Sequence, residues 1–313
     1  MSNAPVIMFV YNRADHFMRT YEALATCYGA KETELFIFSD GAKNEGASEG
    51  VKKVREAAQG FVSSGAFKNI QIFESETNKG LARSVIDGVT AIIEKYGRAI
   101  VVEDDCVASP YFLEYMNNCL NYFENDKAIG AISGYAPAID FSENYDKDIF
   151  TACRSCSWTW ATWKDRWQGV DWELNNMSDF YKSPALIKKL NSNGSDRFMR
   201  LYRQTKGNGS SWSVRFGAHL VKNGQLTVYP RYSYISNIGC DESGVHSRNE
   251  DAEKMRVDLS KAIAQPIIEK VELNPTIQKT LKKHYSYGLL SEAKRFAATA
   301  FIVAKENVKG WFL

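Results

Sequence analysis

Glu103, Asp104 and Asp105 stand side by side directly after the apolar run Ile100-Val101-Val102. A run of this kind reads as a strand buried on both faces, so it would deliver three carboxylates together to the rim of a sheet. Such crowding is costly without a counter-charge. A hard divalent cation answers that need, because it takes oxygen ligands and can bridge from carboxylates to diphosphate oxygens that they would otherwise repel. Asp105 is the preferred direct ligand, with manganese or magnesium as the ion and Asp104 beside the bound diphosphate. The plain alternative is a solvated acidic turn capping the next helix, which Ser109-Pro110 would start.

The segments around this triplet read as alternating strands and helices. Val6 to Tyr11 is a short apolar strand, followed by a helical pattern to about Tyr28. Leu35 to Phe38 is a second strand, with a helix near Ser48 to Gly60, and Ile70 to Glu74 a third, with a helix from Asn78 to Tyr96. Ala99 to Glu103 is the fourth. This alternation predicts a largely parallel sheet, and in such sheets ligands sit at the carboxyl ends of the strands. Asn12-Arg13, Ser39-Asp40, Asn78-Lys79 and Glu103-Asp104-Asp105 should therefore share one rim. Beyond it, Tyr111 to Phe123 reads as a helix and Ala128 to Ser133 as a strand, and the pattern is irregular and aromatic through Trp172. A polar stretch runs to Asn208, then an apolar segment from Trp212 to Val221 and a late strand from Leu226 to Tyr229. From about Asp251 the chain reads as a charged helical tail outside the core.

The triplet and the residues after it, Ser109-Pro110-Tyr111-Phe112-Leu113-Glu114-Tyr115, resemble the metal-binding segment of N-acetylglucosaminyltransferase I and its bacterial relatives. Phe9-Val10-Tyr11-Asn12-Arg13 and Ser39-Asp40-Gly41 are similar to the nucleotide-contacting turns of that family. Asn78-Lys79-Gly80-Leu81-Ala82-Arg83 resembles a segment near the donor phosphates in GT-A enzymes. The resemblance implies a GT-A fold, an α/β unit with a mostly parallel mixed sheet flanked by helices and a C-terminal helical extension. It also implies that Asp105 binds manganese and that Arg13 and Asp40 contact the nucleotide. A carboxylate can accept the imide proton of uracil, and an arginine fork suits phosphate oxygens. Asp40 equally fits a turn before Gly41. Lys79 and Arg83 fall near the phosphates, although Arg83 also suits a surface ion pair. The expected division is a transferase domain over 1–250, with a donor half to about 135 and an acceptor half from about 136, and an extension over 251–313.

Cys156-Ser157-Trp158-Thr159-Trp160-Ala161-Thr162-Trp163-Lys164-Asp165-Arg166-Trp167 resembles a segment of bacterial surface-polysaccharide glycosyltransferases, and Ser211-Trp212-Ser213-Val214-Arg215-Phe216 a later motif there. Indole faces stack on sugar rings, yet at least half of these tryptophans are expected in the core. Relatives carry an Asp in or before the later motif as general base, whereas this chain reads Gly209-Ser210-Ser211-Trp212-Ser213. Asp241 and Glu242 are the nearest replacements. The stretch from Asn237 to Ser247 resembles the family's carboxy-terminal catalytic loop, where His246 would complete the metal shell or meet the diphosphate. His16, His219 and His284 are read as structural or surface residues.

Composition limits the classes. The 313 residues are 44% hydrophobic and 24% charged, with a net charge of +2, which fits a folded core and gives no basic footprint for nucleic acid. Six scattered cysteines match a reducing compartment better than a disulfide framework. With no secretory pattern and no run of about 18 apolar residues, a cytoplasmic location is expected. The stretch from Leu281 to Leu313 mixes lysines with Phe296, Phe301 and Ile302. It suits either docking on the core or peripheral contact with the anionic inner face of a membrane.

The function expected from these residues is metal-dependent transfer of a sugar from a nucleoside diphosphate donor, UDP in the first instance, to a carbohydrate or lipid-linked acceptor. Surface polysaccharide or glycolipid synthesis is the setting that the resemblance implies. The competing readings are a catalytically degenerate carbohydrate-binding scaffold and a nucleotidyltransferase. The latter expects a glycine-rich loop after the first strand, and Tyr11-Asn12-Arg13-Ala14 does not supply one. A dinucleotide oxidoreductase lacks its GxGxxG fingerprint here.

Overall fold

The computed structural model describes residues 2–239, 241, 257–286 and 288–309. The first half winds as β1 (Val6–Val10), α1 (Ala14–Ala25), β2 (Glu34–Ser39), α2 (Glu45–Phe61), β3 (Asn69–Glu74), α3 (Leu81–Tyr96) and β4 (Arg98–Glu103). Next come β5 (Cys106–Ala108), α4 (Phe112–Tyr122), β6 (Ile129–Ser133), β7 (Ile149–Ala152), β8 (Thr159–Trp163) and α5 (Lys164–Trp167). The chain continues through α6 (Ser178–Lys182), α7 (Pro184–Leu190), α8 (Arg197–Gln204), α9 (Trp212–Lys222), β9 (Leu226–Pro230) and β10 (Ile235–Asn237). Two helices follow, α10 (Pro275–His284) and α11 (Leu289–Lys309).

Eight strands form one mixed sheet in the order β3-β2-β1-β4-β8-β6-β9-β7. The four amino-terminal strands pair in parallel, and β8 is inserted antiparallel to β4 with Trp160 opposite Val101. The fold class is thus the expected α/β sandwich with its sheet flanked by helices. On β1, Val6, Met8 and Val10 join one core with α1, α2 and α4, while Ile7 and Phe9 join the other with α3 and α9. A strand covered on both sides must be apolar at every position, and β1 is buried throughout.

Local chemistry sets the helix ends. Asn44 caps α2 by accepting from the Ala47 N–H, and Asn274 caps α10 ahead of Pro275. Gly80, with φ of 77°, turns the chain into α3, whose Ala82, Val85, Val89, Ile92 and Ile93 form its buried stripe.

The aromatic segment read as irregular holds β7, β8 and α5. Trp160, Trp163, Trp167 and Trp212 are buried, and Trp160 stacks on Trp167 and Trp212 at centroid distances of 5.5 and 4.9 Å. These indoles pack the core as expected. The tail differs from the helical expectation over 257–274, which is irregular apart from a single 3-10 turn at Leu259–Lys261. Pro266 supplies the reason, since proline breaks a helix interior. The tail is also not wholly peripheral: Ile277 and Leu281 pack with Phe150 and Tyr229, and Ile302 joins the core of α6 to α9.

Candidate functional site

The carboxyl ends of β1, β2 and β4 form one rim, as parallel pairing on either side of β1 requires. At the end of β1 the chain turns directly into α1, so Arg13 faces the end of β4. One guanidinium nitrogen, Nη2, donates to Asp104 Oδ1 at 2.9 Å and to Asp105 Oδ2 at 2.6 Å. Thr20, farther along α1, donates to the Asp104 carbonyl at 2.9 Å. The counter-charge that the acidic triplet requires is therefore present within the chain itself.

The second half of the chain closes over this pair. β5 leaves the triplet and pairs antiparallel with β10, bringing Asn237 opposite Cys106. Asn237 Nδ2 donates to Asp105 Oδ1 at 2.9 Å, and the Ile238 N–H donates to the Asp105 carbonyl at 2.8 Å. Gly239 lies so close that an added Cβ would stand 2.1 Å from Asp105 Oδ2. A side chain at this position would have to displace the Asp105 carboxylate. Beyond it, Asp241 Oδ2 meets His16 Nε2 at 3.1 Å.

Charge and burial oppose one another here. Burial works against the Arg13 cation, but Asp104 and Asp105 more than offset it and hold the guanidinium above its ordinary value. Burial pushes the Asp104 carboxyl up to about 6, with Arg13 pulling it back and Asp105 adding repulsion. Glu103 is raised well above the carboxylate range by burial and by the two acids beside it. It lies on the α3 side of β4, where alternation places it with Ala99 and Val101.

The neighbouring turn is a second polar cluster. Asp40 Oδ1 accepts from the N–H groups of Gly41 and Lys79, both at 2.9 Å. Its Oδ2 accepts from the Gly80 N–H at 2.8 Å and from Asn78 Nδ2 at 3.2 Å. Asp40 thus pins the loop that starts α3. This is the turn role the sequence allowed beside nucleotide contact, extended across to a second loop. Lys79 is exposed, and Arg83 pairs with Asp87 at 2.9 Å across one helical turn on the surface. An open groove of about 820 Å³ starts at Ala82 and Arg83 and follows α3 to Ala91, with Trp172, Ser210 and Arg215 on its far wall. Its lining does not include Arg13, Asp104 or Asp105.

The structure thus brings Arg13, Asp104 and Asp105 into contact at one point of the rim, holds Asp241 on His16 of α1, and places Asp40 at the end of β2 with Lys79 and Arg83 in the segment after β3. Glu242 and His246 lie outside the described residues. His16, read in the sequence as a structural or surface residue, meets Asp241 here, and Asn237, read only as the start of a loop, holds Asp105. His16 sits three residues after Arg13, a spacing that puts both on one helical face, so that signal was available. The segment before Trp212 brings Ser211 to Ser213 at 3.2 Å and supplies no carboxylate.

For a divalent ion the donors fit in kind, being paired carboxylate oxygens at a rim. Asp105 and Asp104 would hold it, with Arg13 as the competing charge. Among the described residues no group of three His, Cys, Asp or Glu side chains forms a complete cage.

No family model matches the chain, and no curated protein matches it. Among solved structures it is similar to TarS 1-349 of S. aureus in complex with UDP-GlcNAc, at 12% identity over 81% of this chain and 64% of that one, TM-score 0.42. It is also similar to the longer S. aureus TarS structure, at 13% identity over 74% and 36%, TM-score 0.41. A third is the mannosyltransferase PcManGT from Pyrobaculum calidifontis in complex with GDP-Man and Mn2+, at 12% identity over 52% and 45%, TM-score 0.35. In each case the chain spans less than two thirds of the other protein's length. At these scores the likenesses assign neither ligand nor reaction to this chain.

Proposed function

We propose that this protein is a metal-dependent GT-A glycosyltransferase whose nucleoside diphosphate sugar lies along the rim from Asp40 to Asp105. The observation that carries the reading is one arginine bridging two consecutive carboxylates at the end of a central parallel strand. Paired acids and a cation at that place suit a diphosphate and its counter-ion. β2 and β4 flank β1, so their ends lie about 10 Å apart, a span on the scale of a nucleoside diphosphate.

In this reading Arg13 exchanges a carboxylate for a phosphate oxygen, and Lys79 and Arg83 add charge where the phosphates pass. Asp105 would hold manganese or magnesium, with His246 as a further candidate, and the ion would supply neutralisation of the diphosphate leaving group. The acceptor hydroxyl oxygen forms a bond to the anomeric carbon as the bond from that carbon to the diphosphate breaks. Asp241 takes the hydroxyl proton, oriented by His16, with Glu242 as its alternative. UDP is the first donor to test, and a carbohydrate or lipid-linked hydroxyl the acceptor. The resemblance to N-acetylglucosaminyltransferase I and to surface-polysaccharide enzymes supports this choice.

A second reading is favoured by the missing carboxylate before Trp212 and by the engagement of both Asp105 oxygens: a carbohydrate-binding scaffold without turnover. Calorimetric titration with UDP, UDP-GlcNAc and GDP-mannose, with manganese or with chelator, separates the two when paired with an assay of donor hydrolysis. The transferase reading expects manganese-dependent binding that Asp105→Ala abolishes, with slow release of nucleoside diphosphate. At a hundredfold excess over Kd the bound donor should add about 2.7 kcal/mol to stability. Absence of binding to every nucleotide at millimolar concentration defeats the donor site, and binding without hydrolysis or transfer favours the scaffold.

A further inference from the structure

The outward face of α11 is unlike that of an ordinary surface helix. In α2, exposed positions carry both signs of charge, with Lys52 paired to Glu56 and Lys53 to Glu49. In α11 the exposed positions are Leu289, Leu290, Ala293, Phe296, Ala297, Ala300, Phe301, Ala304 and Val308, joined by Lys294 and Lys305. Leu289, Leu290, Phe296 and Phe301 are between 68% and 90% exposed. At 3.6 residues per turn these positions form one continuous half of the helix surface, with Lys294 and Lys305 along a single border.

The helix's carboxylates are turned the other way. Glu292 accepts from Ser195 at 2.6 Å, and Glu306 from Tyr202 at 3.1 Å with Lys206 at 3.4 Å. Ile302 completes this inner contact in the core. Both readings of the terminal stretch thus meet in one helix, with one face docked on α6 and α8 and the opposite face left apolar and cationic. Lys294 and Lys305 have no ion-pair partner among the described residues.

We infer that α11 lays its outer face into the surface of an anionic lipid bilayer, so that the protein rests on the membrane through this helix. The chemistry of the face selects the occupant. Apolar side chains enter the headgroup boundary, lysines along one edge meet lipid phosphates, and no acid on that face is repelled. The helix is about 32 Å long, and no helix among the described residues is long and apolar enough to cross a membrane, so it lies along the surface. The inference stands apart from the donor chemistry proposed above.

The test is co-sedimentation of the full chain with vesicles of phosphatidylcholine, with and without phosphatidylglycerol. Binding is expected on the anionic vesicles and should weaken in high salt. Phe296→Ser with Phe301→Ser should lower the partition about tenfold or more, as loss of two buried rings requires, with the thermal melt of the free protein unchanged. Lys294→Gln with Lys305→Gln should remove the preference for anionic lipid. The inference is overturned if wild-type protein ignores both vesicles, or if the phenylalanine variant binds as well as wild type. It is equally overturned if the chain dimerises through this face in the absence of lipid and the same variant restores the monomer.

Discussion

Arg13 is one cation serving two anions, and that ratio governs its variants. Asp104 and Asp105 are both buried, so removing the guanidinium leaves two like charges with little water to screen them. Arg13→Met should destabilise the protein by about 3 kcal/mol at pH 7 in urea denaturation. The deficit should shrink toward pH 5, because Asp104, already pushed up to about 6 by its burial, would then take up a proton and relieve the repulsion. A cost that is independent of pH would mean that Arg13 matters for packing alone. Arginine's side chain packs as well as pairs, which makes methionine the fair control.

At the scale of elements, Asp40 joins two loops that belong to different strand ends. Its carboxylate takes three backbone N–H groups and one amide, and the Gly80 N–H among them opens α3. Asp40→Ala leaves those donors unsatisfied and should cost about 2 kcal/mol. Hydrogen exchange should quicken first at Lys79 and Gly80, and uniform exchange across the protein would argue against a local staple. The strand–helix alternation of the first hundred residues was legible because each strand is a short apolar run and each helix has a 3.6-residue stripe. The acidic rim was legible for the same reason. β8 was not: Thr159-Trp160-Ala161-Thr162-Trp163 is buried at every position, so its polar threonines give no alternation to read. The Arg13 pairing was hidden as well, because a strand order that sets β1 beside β4 is a property of the sheet and not of either segment. Residues 257–274 misled in the opposite sense, their charges suggesting a helix that Pro266 forbids.

At the scale of the whole molecule, one buried carboxylate ties three distant regions together. Asp196 holds Arg154 at 3.0 Å and Arg200 at 3.5 Å, Arg154 lies over the Tyr285 ring at 4.1 Å, and Arg197 is buried beside them on Ser155. Burial alone would raise Asp196, but Arg154 outweighs it and brings the carboxyl down to about 2. A depressed carboxylate contributes stability above its unfolded value of 3.8 and loses it as pH falls toward 2. Asp196→Asn should therefore cost about 3 kcal/mol at neutral pH and flatten the stability slope between those limits. An unchanged slope would show that other groups carry the acid sensitivity.

The bond from Asn237 to Asp105 spans 132 residues, and this separation sets an order of events during synthesis. Chains leave the ribosome at roughly 5–20 residues per second, so Asp105 waits on the order of ten seconds for its amide partner. During that interval β1 to β4 can pair among themselves, since they are consecutive, but the far edge of β4 stays open until β8 is made. A nascent chain stalled before residue 235 can hold the Arg13 bridge without β10 or Gly239 over it. The rim is finished by the last strand among the described residues to be translated, so truncated products carry the acids without the loop that covers them.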